Sequence, residues 1–353
     1  MLMAILAILF TLILTIGTHE AGHALAARLA KVTITKVSMG FGRPLLSWKS
    51  QSGCEWILAL WPLGGYVQLL NTRVARVSPE QLPYCFDKQP IWKRIAILLA
   101  GSIANLVFAW LIFIFIFLVG LNYQPPIVKS IQPSSIAALA GVQPGDQFIA
   151  LDNQATPSYR EVGMKLIENW GSKNVKITFK QKNEEIIILI FDLSRLVFSP
   201  RHHSLLNSIG IIPDFKTHVL KRPSLSLHEA LHESSEKIDE LASFLFIILI
   251  QLIRGVIPFS ALIGPLGFYA LSMNSMIQGG LVFMYFIATL STAVGLINLL
   301  PIPGLDGGSI VYALIEKIRG KPISIALEVL IHRLFFIVFC ILLVHLTLND
   351  LQR

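Results

Sequence analysis

Charge is what this sequence has least of. Asp, Glu, Lys and Arg make up 14% of the 353 residues, against 54% hydrophobic, and mean hydropathy is +0.66. So few charges cannot cover the surface of a water-soluble chain of this length, which puts it in the membrane class. Cysteine is scarce too. Cys54, Cys85 and Cys340 are odd in number and scattered, which excludes a disulfide framework and a zinc ribbon. No Lys or Arg precedes Arg28, so the charged start of a secretory signal peptide is missing. Net charge is +8, yet the cations follow loops between apolar runs and form no DNA-reading module. No nucleic-acid partner is expected.

Apolar runs fill the space that charge leaves. Met1 to about Leu29, Ile95–Leu121, Gly280–Leu300 and about Leu330–Leu348 each approach the ~20 residues that a helix needs to cross hydrocarbon. A fifth run, Leu241–Ile253, is only 13 residues long and ends at Arg254; it is expected to lie on the membrane or dip into it. Four crossings follow. Residues 28–94 hold ten Lys/Arg against three Asp/Glu, and residues 316–333 hold four against two. The segment 122–240 is balanced at thirteen against thirteen. By the positive-inside rule, residues 30–94 and 301–329 face the cytoplasm, with both termini and residues 122–240 outside.

Between the second and third runs, from about Pro126 to Asp214, the composition becomes globular. Val175–Lys180 alternates as a half-buried strand does, and Ile186–Phe191 reads as a buried-type strand. "GVQPGDQFIALDNQ" reads as a turn feeding a short strand, and "YREVGMKLIENW" as an amphipathic helix. About ninety residues suffice for one small α+β core. "PSSIAALAGVQPGDQFIALDNQ" resembles a PDZ domain, which implies binding of an extended peptide at a sheet edge.

At the end of the first apolar run stands "HEAGH", with His19, Glu20 and His23 in an H-E-x-x-H pattern. Residues four apart share a helix face, so His19 and His23 can bind one zinc ion. Glu20 can take a proton from water at that ion. Alone the motif is weak, but His and Glu are costly within a membrane span and so point to function. A third ligand is needed. Asp306, in "NLLPIPGLDGG", is the only acidic residue between Glu240 and Glu316. The first and third crossings both run outside to inside, so His19–His23 and Asp306 arrive at one membrane level. The alternative for Asp306 is a helix cap or turn residue, given the flanking Pro and Gly.

With these motifs the chain resembles the site-2 proteases, intramembrane zinc metalloproteases, over nearly its whole length. "HEAGH" matches the zinc-helix motif, Asn298–Gly308 the N-x-x-P-x-P-x-L-D-G motif, and "AGSIANLVFA" the G-x-x-x-N helix carrying Gly101 and Asn105. "WPLGGYVQLL" is similar to the family's membrane-dipping β segment. The resemblance implies His19, His23 and Asp306 as zinc ligands and Glu20 as general base. It also implies that Asn105 and Asn298 shape the site or hold substrate backbone. "PLLSW" and "EWILALW" flank the turn "KSQSGC" and read as a hairpin; Gly64 and Gly65 in the next stretch would offer an edge to an unwound substrate. A plain cytoplasmic hairpin is the other reading. Two departures stand out: there is room for one PDZ domain where sigma-E-type members have two, and Ser309 stands where many members have His.

The expected protein is therefore a polytopic α-helical membrane protein with four transmembrane helices, a membrane-associated β-hairpin and one inserted α+β PDZ domain. Its parts are 1–121, with the zinc helix, hairpin and second span; 122–214, an extracytoplasmic PDZ domain; 215–279, an interfacial segment; and 280–353, with the third ligand. Implied substrates are single-span membrane proteins in the bacterial inner membrane, of the anti-sigma-factor or signal-peptide-remnant type. The rival is an inactive adaptor that binds helices through its PDZ domain. His202 and His203 read as surface. His228 and His232 repeat the H-E-x-x-H spacing on a charged amphipathic helix with no third ligand at hand, where Lys237 and Arg254 would meet lipid head groups.

Overall fold

The computed structural model describes residues 2–51, 53–194, 205–215 and 219–352. In chain order, α1 (Leu2–Leu29) leads through β1 (Ile34–Lys49) and β2 (Glu55–Leu69) to α2 (Ile91–Val119). Then come β3 (Asn122–Tyr123), β4 (Val128–Ile131), α3 (Ile136–Ala140), β5 (Gln147–Leu151), β6 (Gln154–Ala155) and α4 (Tyr159–Glu168). They are followed by β7 (Val175–Lys180), β8 (Ile186–Phe191), α5 (Leu205–Ser208), β9 (Ile211–Pro213) and β10 (Leu220–Lys221). Five helices end the chain: α6 (Leu227–Ile253), α7 (Pro265–Ile277), α8 (Gly280–Asn298), α9 (Asp306–Arg319) and α10 (Ile325–Leu351). Among the described residues four helical stretches are long and apolar enough to cross a membrane: Leu6–Leu29, Ile91–Val119, Gly280–Asn298 and Ile325–Leu351. The four runs found in the sequence coincide with these, which makes the chain a multi-pass membrane protein.

The chain divides into two compact units. One gathers Met1–Ile116, Leu231–Leu241 and Phe268–Val344; the other Phe117–Ala230, Ala242–Gly267 and His345–Arg353.

In the first unit β1 and β2 are antiparallel, as the hairpin reading expects, but each does double duty. Val37 pairs with both Val67 and Trp56, and Ser38 with both Tyr66 and Ile57. The second half of β1, through Trp48, pairs with Trp56 again. Two long bent strands thus fold into a four-rung sheet, with residues 65–69 at one edge and 44–49 at the other. The corner in β1 falls at Gly40 and Gly42, with φ of 95° and 86°. A Cβ on Gly40 would lie 2.8 Å from the Trp61 carbonyl oxygen, so only glycine can take this bend.

Two ion pairs fix the helices around that sheet. Arg94, buried near the start of α2, meets Glu316 of α9 at 2.9 Å. Arg73, after β2, meets Glu328 of α10 at 2.8 Å and donates to the Ile323 carbonyl at 2.8 Å. Asp87 accepts from the Thr72 amide and hydroxyl. Burial pushes the Asp87 carboxyl up, but these bonds outweigh it and hold the group below the usual carboxylate range.

Within the second unit, β6-β5-β7-β8 form an antiparallel sheet. Val128, Phe148, Leu151, Val162, Leu166, Ile177, Phe179 and Phe191 make its core with α3, α4 and β9 around them. The strands at 175–180 and 186–191 and the helix after Ser158 fall where the residue pattern put them. One expectation is corrected. Ile186–Phe191 is not buried on both faces: Ile186, Ile188 and Ile190 are 68%, 62% and 60% exposed, while Ile187 and Leu189 pack on the core. The core packs on one side of the sheet, so β8, like β7, has one face covered, and a continuous apolar run cannot reveal which residues lose the cover.

Helix α6 carries the charged amphipathic segment straight into the apolar one, as the sequence suggests, but Lys237 on it differs from expectation. The apolar stretch 241–253 is the second half of one 27-residue helix whose start is capped by Ser226 and Glu229 in a capping box. Lys237 does not reach toward head groups. It is buried, ion-paired to Glu240 at 2.7 Å, with its ammonium 5.8 Å from the Tyr285 ring centroid. His202 and His203 lie outside the described residues.

Phe179→Ala removes a fully buried ring from the sheet core. Stability of that unit should fall by about 3–5 kcal/mol, read as faster hydrogen exchange at the amides of β7 and β8, with α1 and α8 unchanged.

Candidate metal centre

Helix α1 carries His19 and His23 on adjacent turns, so both imidazoles leave the same face. Their rings stand edge to face, with centroids 4.7 Å apart and an interplanar angle of 88°. Asp306 comes from the far end of the chain. It occupies the first turn of α9, where a carboxylate is favoured by the exposed amides of a helix start. Its approach depends on the two glycines that follow. A Cβ on Gly307 would lie 2.2 Å from the Leu300 carbonyl oxygen, and one on Gly308 2.2 Å from that of Ile302. The loop 299–305 therefore lies against the first turn of α9 at a spacing no side chain allows.

These elements bring three donor atoms into a triangle. His19 Nε2 lies 3.1 Å from Asp306 Oδ2, His23 Nε2 lies 3.2 Å from the same oxygen, and the two Nε2 atoms are 3.1 Å apart. His19, His23 and Asp306 form the one cluster of three or more such side chains close enough to share an ion among the described residues. His228 and His232 do not join one: His232 pairs with Glu236 at 3.5 Å, and both side chains are exposed.

The triangle fits a cation, because its lone pairs outnumber the protons available to it. Nδ1 of His23 lies 2.8 Å from the Ile97 carbonyl oxygen, which can only accept, so Nδ1 donates. Neutral His23 then turns a bare Nε2 lone pair toward the Asp306 carboxylate. A proton can bridge one edge of the triangle, whereas a divalent ion satisfies all three corners. Tetrahedral coordination at about 2.0–2.1 Å sets donors about 3.3 Å apart, within a few tenths of the separations found. The Ile97 carbonyl fixes the tautomer, the usual duty of a partner behind a metal-bound imidazole.

The surroundings press close. A Cβ on Gly101 of α2 would lie 2.4 Å from His23 Nε2 and 2.8 Å from His19 Cε1. On α1, Gly22 lets α2 approach until a Cβ there would sit 2.4 Å from the Ala100 carbonyl oxygen. Glu20 is half-buried, within charge–charge range of His19, His23 and Asp306. Gly65, at the sheet edge, sits where a Cβ would come within 3.1 Å of Glu20 Cγ. Gly64 lies one residue away against the Phe41 ring. Asn298 is half-buried at the end of α8 and donates to the Val294 carbonyl at 2.9 Å. Asn105 is fully buried, four residues beyond Gly101 on α2. The Ile97 carbonyl escaped sequence reasoning, because a backbone oxygen leaves no residue-type signal.

Gly101→Ala should displace His23 and lower the bound metal, measured by elemental analysis, to the level of His23→Ala. A full complement of metal in Gly101→Ala would mean that α2 can retreat at no cost.

Comparison with known proteins gives the family. Residues 7–343 match the model of peptidase family M50. The Regulator of sigma E protease of Haemophilus influenzae is 25% identical, over 96% of this chain and 96% of that protein. A Rickettsia conorii protein named "Putative zinc metalloprotease RC0203" is 28% identical, over 100% of this chain and 99% of its own. An Agrobacterium fabrum protein of the same printed description is also 28% identical, with 98% and 94% covered. The chain belongs to peptidase family M50, the site-2 protease family that its motifs resemble, and it is a metalloprotease.

Proposed function

We propose that this chain is a zinc-dependent endopeptidase of the bacterial inner membrane that cuts single-span proteins within their membrane segments. The observation that carries it is the triangle of His19, His23 and Asp306 donor atoms on and beside a helix apolar enough to span a bilayer. A site for soluble substrates has no reason to sit there. A transmembrane helix hides its peptide bonds in its own hydrogen bonds, so the enzyme that cuts it must meet it inside the membrane.

His19, His23 and Asp306 would hold the zinc and leave one position open. When bound, the metal supplies Lewis acidity, lowering the pKa of water and polarising the scissile carbonyl. Glu20 takes the proton of the attacking water and passes it to the departing amine. Residues 65–69, paired on one side only, accept an unwound stretch of substrate as an added strand. Gly64 and Gly65 let that backbone come close to Glu20. Asn298 and Asn105 shape the helix ends and interior around the donors.

In this reading, residues 122–214 form an extracytoplasmic PDZ domain between membrane parts 1–121 and 280–353, with 215–279 as an interfacial connection. Both termini lie outside and the site opens toward the cytoplasm. The name Regulator of sigma E protease, carried by the Haemophilus relative, fits substrates of the anti-sigma-factor type; signal-peptide remnants share the same chemistry. An inactive adaptor is disfavoured because the donor atoms and Glu20 are all in place.

Two measurements test this. Glu20→Gln should keep its zinc yet lose at least ~10²-fold in turnover of a model transmembrane substrate, the size expected for removing a general base; retained turnover removes Glu20 from the mechanism. With the three native cysteines replaced by serine, Asn183→Cys should react with an impermeant thiol reagent on intact cells, and Arg76→Cys only after permeabilisation. The reverse pattern would invert the topology.

A further inference from the structure

Two cavities open side by side in the first unit and share Arg73 and Val74 in their walls. The larger, of about 920 Å³, runs along α10 and has the size of a ligand site. Ile325, Val329, His332, Phe336 and Phe339 of its wall recur at spacings of three and four, so they make one stripe of that helix. The stripe is about 21 Å long at 1.5 Å per residue, more than the ~15 Å of one leaflet's hydrocarbon. Phe41, at the corner of β1, and Gly304 complete the wall; a Cβ on Gly304 would lie 3.5 Å from the Phe335 ring. The smaller cavity, of about 610 Å³, is lined by residues 72–77 and Leu82, among which Arg73 and Arg76 are the only charged groups.

The charges around these cavities do not balance. Glu328 is already met by Arg73 at 2.8 Å. Arg333, in the wall of the larger cavity, is exposed and makes no ion pair with a described residue, and the same is true of Arg76. The two walls thus carry three arginines and one glutamate. Arg333 also stands immediately before the unbroken apolar run Leu334–Val344, on a helix apolar enough to span a bilayer. A guanidinium at that boundary lies at head-group depth, where an unmatched cation calls for an anion.

We infer that the two cavities bind one anionic phospholipid, with an acyl chain in the groove along α10 and the phosphate among Arg73, Arg76 and Arg333. A hydrocarbon chain suits the apolar wall because it asks for no hydrogen bonds. An unwound peptide does ask for them, and α10, whose backbone groups bond one another, offers it no edge. Guanidinium groups match phosphate oxygens in number and direction. A phosphate held in the head-group layer reaches these arginines with its chain already directed along α10. Bound there, the lipid would fill the space between α10 and the turn at Gly304, two residues before Asp306. The site takes no part in hydrolysis and stands or falls apart from the protease reading.

The test is native mass spectrometry of the full chain in detergent, titrated with phosphatidylglycerol and, separately, with phosphatidylcholine of the same acyl chains. Wild type should hold one phosphatidylglycerol about tenfold more tightly than phosphatidylcholine, the size expected of a charge-assisted hydrogen bond. The double variant Arg76→Gln with Arg333→Gln should lose that preference and keep its affinity for phosphatidylcholine. Val329→Trp, which fills the groove, should weaken binding of both lipids. Equal affinities in wild type overturn the inference, as does a preference unchanged in the double variant or full binding by Val329→Trp. Displacement of the lipid by millimolar inorganic phosphate would show an anion site without a tail site. Displacement by an uncharged transmembrane peptide would show a peptide groove, and either result also overturns it. If the double variant fails to fold, the wild-type comparison and Val329→Trp decide by themselves.

Discussion

The proposed role of helix α1 as a metal-binding helix depends on how closely α2 approaches it. Two glycines set that distance, Gly22 on α1 and Gly101 on α2, and each leaves less room than a methyl group needs. Small residues are the usual means of close helix approach in lipid, where no hydrophobic force pushes helices together. Here the closeness also has a chemical result. It delivers the Ile97 carbonyl to His23, which selects the tautomer whose free nitrogen faces His19 and Asp306. Tighter packing in most proteins improves stability; in this one it sets a proton.

The same economy of space recurs at the other end of the chain. Gly307 and Gly308 let a loop lie on the first turn of α9, and the Arg94–Glu316 pair ties the rest of α9 to α2. Asp306 is thus held from both sides: by its own loop and, through α9, by the helix that adjoins the histidines. Glu20 lies against the bent edge of the β1–β2 sheet at Gly65.

Much of this was legible in the sequence, for identifiable reasons. Apolar runs read cleanly because spanning hydrocarbon demands length and the absence of charge together. His19 and His23 stood out because four-residue spacing is fixed by the helix, and Asp306 because so few acids share its stretch. Strand β7 alternated and was readable. Strand β8 was not, because Ile186–Phe191 is apolar at every position and the side of the sheet on which the core packs decides which face is bare. Lys237 misled for a similar reason: a lysine on an amphipathic helix usually faces water, and nothing local announces Glu240 and the Tyr285 ring around it. The doubling of β1 and β2 into four rungs was hidden as well, since it depends on positive φ at Gly40 and Gly42, while the residue pattern shows only two long strands.

The donor set also spans the chain in a way that matters for folding. His23 and Asp306 are 283 residues apart, with two of the four apolar helical stretches, Ile91–Val119 and Gly280–Asn298, and the whole β6-β5-β7-β8 sheet between them. An ion held by both ends, as proposed, would close that loop as a removable crosslink. For a flexible chain, closing a loop of this length is worth up to about 5 kcal/mol, and less here, because helices already confined to a bilayer have little freedom to lose. Because imidazole and carboxylate must both be unprotonated to hold the ion, the staple is also a pH-dependent one. Metal uptake would therefore mark the moment at which the first and last thirds of the newly made protein become one body, so the chemistry could not begin before assembly was complete.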